Sequence, residues 1–216
     1  MDVTHALQTF AIYALPVLFA ITLHEAAHGY VARHFGDMTA HAQGRISLNP
    51  LRHIDLVGTL LVPIAILFVS GGGFLFGWAK PVPVNYSALK KPRQHMAWVA
   101  AGGPGANLAM ALVWAALLKV AVLLPAGQVG EFLELVSQAG ILVNLIFMFL
   151  NLLPIPPLDG GRILTSLLPS RAAWRFAKIE PWGLPILLVL LFTNVLNGVL
   201  GPLVDVSGAL IRAIVL

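Results

Sequence analysis

The apolar residues of this chain follow neither the two-residue alternation of a half-buried strand nor the 3.6-residue stripe of a helix on a globule. They run on without a charge until a short basic block or a turn interrupts them. A helix needs about 20 apolar residues to cross a bilayer core about 30 Å thick. Uncharged runs of that order fall at 6–23, 56–79, 96–118, 135–158 and 181–204. They predict an all-α polytopic membrane protein. Its elements are a helix over 6–35, a hydrophobic segment over 56–79, a helix over 94–120, a helix over 135–153 with a broken end at 154–161, and a C-terminal helix over 181–204 with a short tail. No repeat, low-complexity tract or long polar linker divides the chain, so residues 1–216 read as a single integral-membrane domain.

Segment 56–79 decides the topology. If it crosses fully, Arg33, Arg45 and Arg52 lie opposite Lys80, Lys90, Lys91, Arg93, Arg162, Arg171, Arg175 and Lys178. If it enters and returns, turning at Ser70-Gly71-Gly72-Gly73, all of these share one side, and the other keeps Lys119 with Glu131 and Glu134. The positive-inside rule favours the second arrangement. The expectation is therefore about four full transmembrane helices plus a re-entrant or fifth hydrophobic segment, in a cell (plasma) membrane. The basic loops would be cytoplasmic and hold short extended segments. Residues 1–23 contain no Lys or Arg, so no secretory signal peptide is expected.

Composition agrees. Hydrophobic residues make up 58% and charged residues 10%, against about 25% charged in an ordinary soluble domain, which argues against a soluble globule. The net charge of +4 comes from short blocks between apolar runs rather than one basic face, so no nucleic-acid partner is expected. With no cysteine, a disulfide framework, a thiolate metal site and a cysteine nucleophile are excluded. Any metal must be held by His, Asp or Glu.

Such residues occur where lipid makes them costly. Near the end of the first run the chain reads His24-Glu25-Ala26-Ala27-His28. Histidines at i and i+4 share one helical face and can bind a single Zn2+, with the glutamate between them placed as a general base. At 1.5 Å per residue, His24 and His28 lie roughly 13 Å and 7 Å along the helix from Arg33. Ionisable groups at that depth are functional candidates by default.

A catalytic zinc usually takes a third protein ligand. The remaining acidic residues are terminal, in the basic loops, on the far side or beside the last span, except Asp159. It follows Pro154, Pro156 and Pro157, which cannot continue a helix, so the span must unwind near the depth of the histidines. Gly160 and Gly161 would then let the chain turn sharply beside the carboxylate.

These residues resemble the site-2 protease family of intramembrane zinc metalloproteases, in a compact form without an appended peptide-binding or nucleotide-sensing domain. The resemblance rests on His24-Glu25-x-x-His28, on Leu158-Asp159-Gly160, and more weakly on Gly103-Pro104-Gly105-Ala106-Asn107. It implies one Zn2+ per chain held by His24, His28 and Asp159, with Glu25 as catalytic base. Asn151 matches a family asparagine near the catalytic centre, where it would help bind substrate, and Asn107 is a weaker candidate for that role. The activity implied is regulated intramembrane proteolysis, hydrolysing peptide bonds in or next to transmembrane segments of membrane proteins. The alternative is a membrane metal transporter or metal-binding protein using the same cluster. Either Pro81-Val82-Pro83-Val84-Asn85 or the stretch before Asp159 would pair with an unwound substrate as an added strand. His34, His41, His53 and His95 read as solvated loop histidines.

Overall fold

The computed structural model describes residues 3–62, 65 and 79–215. Its helices are α1 (Val3–His34), α2 (Thr39–Ala42), α3 (Pro92–Leu123), α4 (Gln128–Asn151), α5 (Asp159–Leu167), α6 (Ser170–Ala177), α7 (Gly183–Phe192) and α8 (Val195–Val215). Four of them, Leu7–His34 within α1 and the whole of α3, α4 and α8, are long and apolar enough to cross a membrane. The protein is a multi-pass membrane protein. The described residues contain no β-strand, so the extended loop segments expected from the sequence are not formed as strands there.

The bundle is built on α3. It packs against α1, α4 and α5, while α8 lies along α4. The core between α3, α4 and α8 centres on Trp114, Ile141, Leu145 and Val204. Trp114 lies on Gly140, where an added Cβ would collide with the indole ring. Small residues of this kind let membrane helices approach without a hydrophobic driving force. Outward-facing Phe10, Leu123 and Ile214 are exposed, as a lipid solvent permits.

Several boundaries differ from those expected, for physical reasons. Helix α4 begins at Gln128 rather than 135, because Glu131 and Glu134 interrupt the apolar run without interrupting the helix, and Glu131 in the first turn favours a helix N-terminus. The helix expected over 181–204 is two. The chain breaks after α7 at Asn194, which takes a left-handed φ of 60°, a conformation that asparagine adopts more readily than most residues. Helix α8 then runs past Asp205 to Val215 and includes most of the expected tail. A charge interrupts hydropathy, not helicity.

Most of segment 56–79 lies outside the described residues, and so does its proposed turn. Its ends are described. The Lys80 N–H donates to the His53 carbonyl at 2.9 Å, so the chain comes back beside the point from which it left. His53 itself is buried, with Nε2 bonded to the Ser47 carbonyl at 2.8 Å, and is not the solvated loop histidine expected. Single cysteines placed at 41 and 85 are expected to react with an impermeant thiol reagent from one face of the membrane, and one at 128 from the other. Opposite labelling of 41 and 85 would contradict a returning segment.

Candidate metal centre

Helix α1 presents His24 and His28 one turn apart, and hydrogen bonds from outside the helix set their tautomers. His28 Nδ1 lies 2.7 Å from the Val99 carbonyl, an acceptor only, so Nδ1 carries the proton and Nε2 is bare. His24 Nδ1 lies 2.7 Å from Asn107 Oδ1. Asn107 Nδ2 donates to the Ala20 carbonyl at 3.2 Å and to Asn144 Oδ1 at 3.1 Å, which orients the amide so that its oxygen faces His24. Nδ1 is again the donor, and His24 Nε2 is also bare. Orientation of a ligating imidazole through its other nitrogen is the usual outer layer of a metal site.

The two Nε2 atoms lie 3.1 Å apart with no proton to place between them. Asp159 Oδ2 lies 3.2 Å from the first and 3.4 Å from the second. A tetrahedral zinc with bonds of 2.0–2.1 Å sets its ligand atoms about 3.3 Å apart, so the triangle has the size of one face of that tetrahedron. Asp159 Oδ2 is buried and has no hydrogen-bond partner among the described residues. Without a cation, three lone-pair atoms would repel one another. The donor set of two imidazoles and a carboxylate fits a zinc ion.

The sequence placed Asp159 on a turn, but the structure places it at the start of α5. Gly160 and Gly161 are helical and do not turn the chain. Their role is close approach: a Cβ on Gly160 would run into the Leu152 carbonyl, and one on Gly161 would sit 2.5 Å from the Pro156 nitrogen. The unwound stretch between α4 and α5 therefore folds back on the first turn of α5 and fixes the carboxylate against α1.

Gly103, named from the sequence only as part of a weak motif and given no role at the site, lies against both histidines. A Cβ there would lie 2.5 Å from His24 Nε2 and 2.6 Å from His28 Nε2. Val99, Gly103 and Asn107 follow one another at four-residue steps, so one face of α3 forms the wall behind both histidines. That spacing was the available signal. Asn107 is fully buried, and its amide is engaged by His24, Ala20 and Asn144. Asn151 ends α4 half-buried and donates to the Phe147 carbonyl at 3.0 Å. No hydrogen bond joins it to the cluster.

Glu25 is half-buried. Its Oε2 accepts the Val82 N–H at 2.7 Å, while Oε1 has no hydrogen-bond partner among the described residues. Segment 79–85 thus lies across the glutamate. Farther along it, the Asn85 N–H donates to Asp37 Oδ2 at 2.7 Å, and the Thr39 N–H donates to Oδ1 of the same carboxylate at 2.9 Å. Burial alone would raise the Asp37 carboxyl, but the hydrogen bonds from Thr39 and Asn85 hold it below its ordinary value. The tie therefore stabilises the fold above the ordinary carboxylate range and is lost as pH falls through the lowered value.

The profile of peptidase family M50 matches residues 125–193. "Putative zinc metalloprotease YwhC" of Bacillus subtilis is 38% identical over 194 residues, covering 88% of this chain and 84% of that protein. The chain belongs to the site-2 protease family. "Putative zinc metalloprotease Rip2" of Mycolicibacterium smegmatis is 33% identical over 180 residues, covering 83% of this site-2 protease and 66% of that protein. The Rip2 of Mycobacterium tuberculosis is 31% identical over 185 residues, with 84% and 66% covered. No solved structure matches the chain. The protein is a metalloprotease of this family, and zinc is the metal that its His24, His28 and Asp159 group fits.

Replacing Asn107 with leucine removes the acceptor that fixes His24 while keeping the volume. Loss of such an outer partner typically costs 10–100-fold in metal affinity. A zinc Kd raised by about that factor, read by competition with a chelator, is the expected result.

Proposed function

We propose that this chain is an intramembrane zinc endopeptidase that hydrolyses peptide bonds in or next to transmembrane segments of membrane proteins, acting in regulated intramembrane proteolysis. His24, His28 and Asp159 hold the metal and Glu25 is the catalytic base. The observation that carries the reading is the closed triangle of bare Nε2, Nε2 and Oδ2 atoms, built between helices that cross the membrane.

Bound zinc supplies Lewis acidity and brings the pKa of water near 7. Glu25 Oε1, without a partner among the described residues, takes the proton of the attacking water and returns it to the departing amine nitrogen, while Oε2 stays on Val82. An intact helix keeps its carbonyls hydrogen-bonded, so a membrane-spanning substrate must unwind before it can react. Asn151, which ends α4 where the chain unwinds, helps to bind such a chain. The bond that sets Lys80 beside His53 and the clustered basic loops support an active site that opens to the cytoplasmic side of the plasma membrane. The partners of the protein are then membrane-protein segments and the bilayer itself.

The test is reconstitution in liposomes with a single-span peptide. Cleavage by the wild type, stopped by a chelator and restored by Zn2+, is expected. Cleavage that survives complete removal of zinc would overturn the reading.

A further inference from the structure

Segment 79–85 is a strap, tied down on both sides of Val82. Upstream, the Lys80 N–H donates to the His53 carbonyl at 2.9 Å, and Arg45 Nη2 donates to the Lys80 and Pro81 carbonyls at 3.1 and 3.2 Å. Downstream, the Asn85 N–H donates to Asp37 Oδ2 at 2.7 Å. Pro81 and Pro83 have no N–H, so Val82 carries the one donor among the three residues, and that donor is on Glu25. Its side chain is buried on α1, where an added Cβ on Gly29 would lie 3.2 Å from Val82 Cγ1. A strand-pairing edge needs donors facing outward, and between residues 81 and 85 only the Val84 backbone N–H has no partner among the described residues. The segment is therefore built to grip α1 rather than to extend a sheet.

Asp37 fastens this strap to α1 itself. It is fully buried, lies three residues beyond the last residue of α1, and uses both oxygens on backbone N–H groups. A buried carboxylate holding two loop amides makes a short, directional joint. The arrangement closes a ring running from Glu25 along α1 to Asp37, across to Asn85, and back through Pro83 to the Val82 N–H on Glu25.

We propose that Asp37 is a positioning residue for the proteolytic reaction: by fixing the strap, it holds the Val82 N–H on Glu25 Oε2 and so aims Oε1 at the reacting water. The inference rests on the reading of Glu25 as the base. A carboxylate with one oxygen held has a single useful orientation, and misplacement of a catalytic group by about 1 Å can cost 100-fold.

The experiment uses the full chain in liposomes with a single-span peptide that the wild type cleaves. Asp37→Asn keeps the shape but offers one oxygen for two N–H donors and turns an NH2 toward the other. Its kcat is expected to fall about 10- to 100-fold, with KM within about twofold and zinc content unchanged. In a Glu25→Asp background, whose shortened carboxylate no longer reaches Val82, the same change is expected to have almost no further effect, because the two act through one contact. A merely structural role would instead add its loss in either background. Should Asp37→Asn fail to fold, Val82→Pro removes the donor directly and is expected to give the same loss of kcat with zinc retained. Wild-type kcat in either variant, fully additive losses, or loss of zinc together with activity in both variants would each overturn the proposal. If Glu25→Gln still cleaves, it is the base reading that fails. If Glu25→Gln is inactive while Asp37→Asn is not, only the positioning role fails.

Discussion

Gly103→Ala is expected to empty the metal site. The new methyl would stand 2.5 Å from His24 Cε1 and Nε2 and 2.6 Å from His28 Nε2, well inside van der Waals contact. Neither ring can step back without giving up its bond to Asn107 or Val99, and those bonds define which nitrogens are bare. Alanine is a better helix former than glycine by about 1 kcal/mol, so α3 itself gains from the change. A loss is then assignable to the site rather than to the fold. The expected outcome is zinc near background by metal analysis, no measurable cleavage, and an unchanged helical signal. Full zinc occupancy would mean that the wall behind the histidines is not where the geometry puts it.

Glu25→Gln separates the chemistry from the binding. The amide is nearly isosteric and its oxygen can still accept the Val82 N–H, so the strap should stay in place. Only the capacity to take a proton is lost. General-base catalysis contributes typically 10²–10⁴-fold, and a fall of about that size in kcat is expected, with zinc retained at the wild-type level. A protein that moved metal rather than cut peptides would show altered zinc flux in the same variant and no cleavage by either form. Undiminished proteolysis would remove Glu25 from the mechanism.

How much of this was legible beforehand follows from the range over which each signal acts. Hydropathy runs and the i, i+4 histidine spacing are local, and they led to the spanning helices and to His24, Glu25 and His28. The Pro154, Pro156 and Pro157 break is local too, and with elimination among few carboxylates it pointed to Asp159. What was missed depends on contacts between distant segments. Gly103 matters only because α1 meets α3 at that level, and glycine in an apolar span reads as packing. Asp37 looked like one more acid in a basic loop until Asn85 was set against it. His53 belonged to a loop by sequence and to the interior by structure, where its ring bonds to the Ser47 carbonyl and its own carbonyl to the Lys80 N–H. The ends of α4 and α8 shifted because charge marks where hydrocarbon stops, while helices continue through Glu131 and Asp205.

The central claim is that two imidazoles of α1 and the carboxylate opening α5 grip one zinc ion inside the membrane bundle. Metal analysis of the purified protein, beside a variant with His24, His28 and Asp159 all replaced by alanine, tests it most directly. About one zinc per wild-type chain and none above background in the variant is the expected result, as a three-ligand site requires. Wild-type protein purified in the presence of zinc but carrying none, or a triple variant that keeps its zinc, would contradict it.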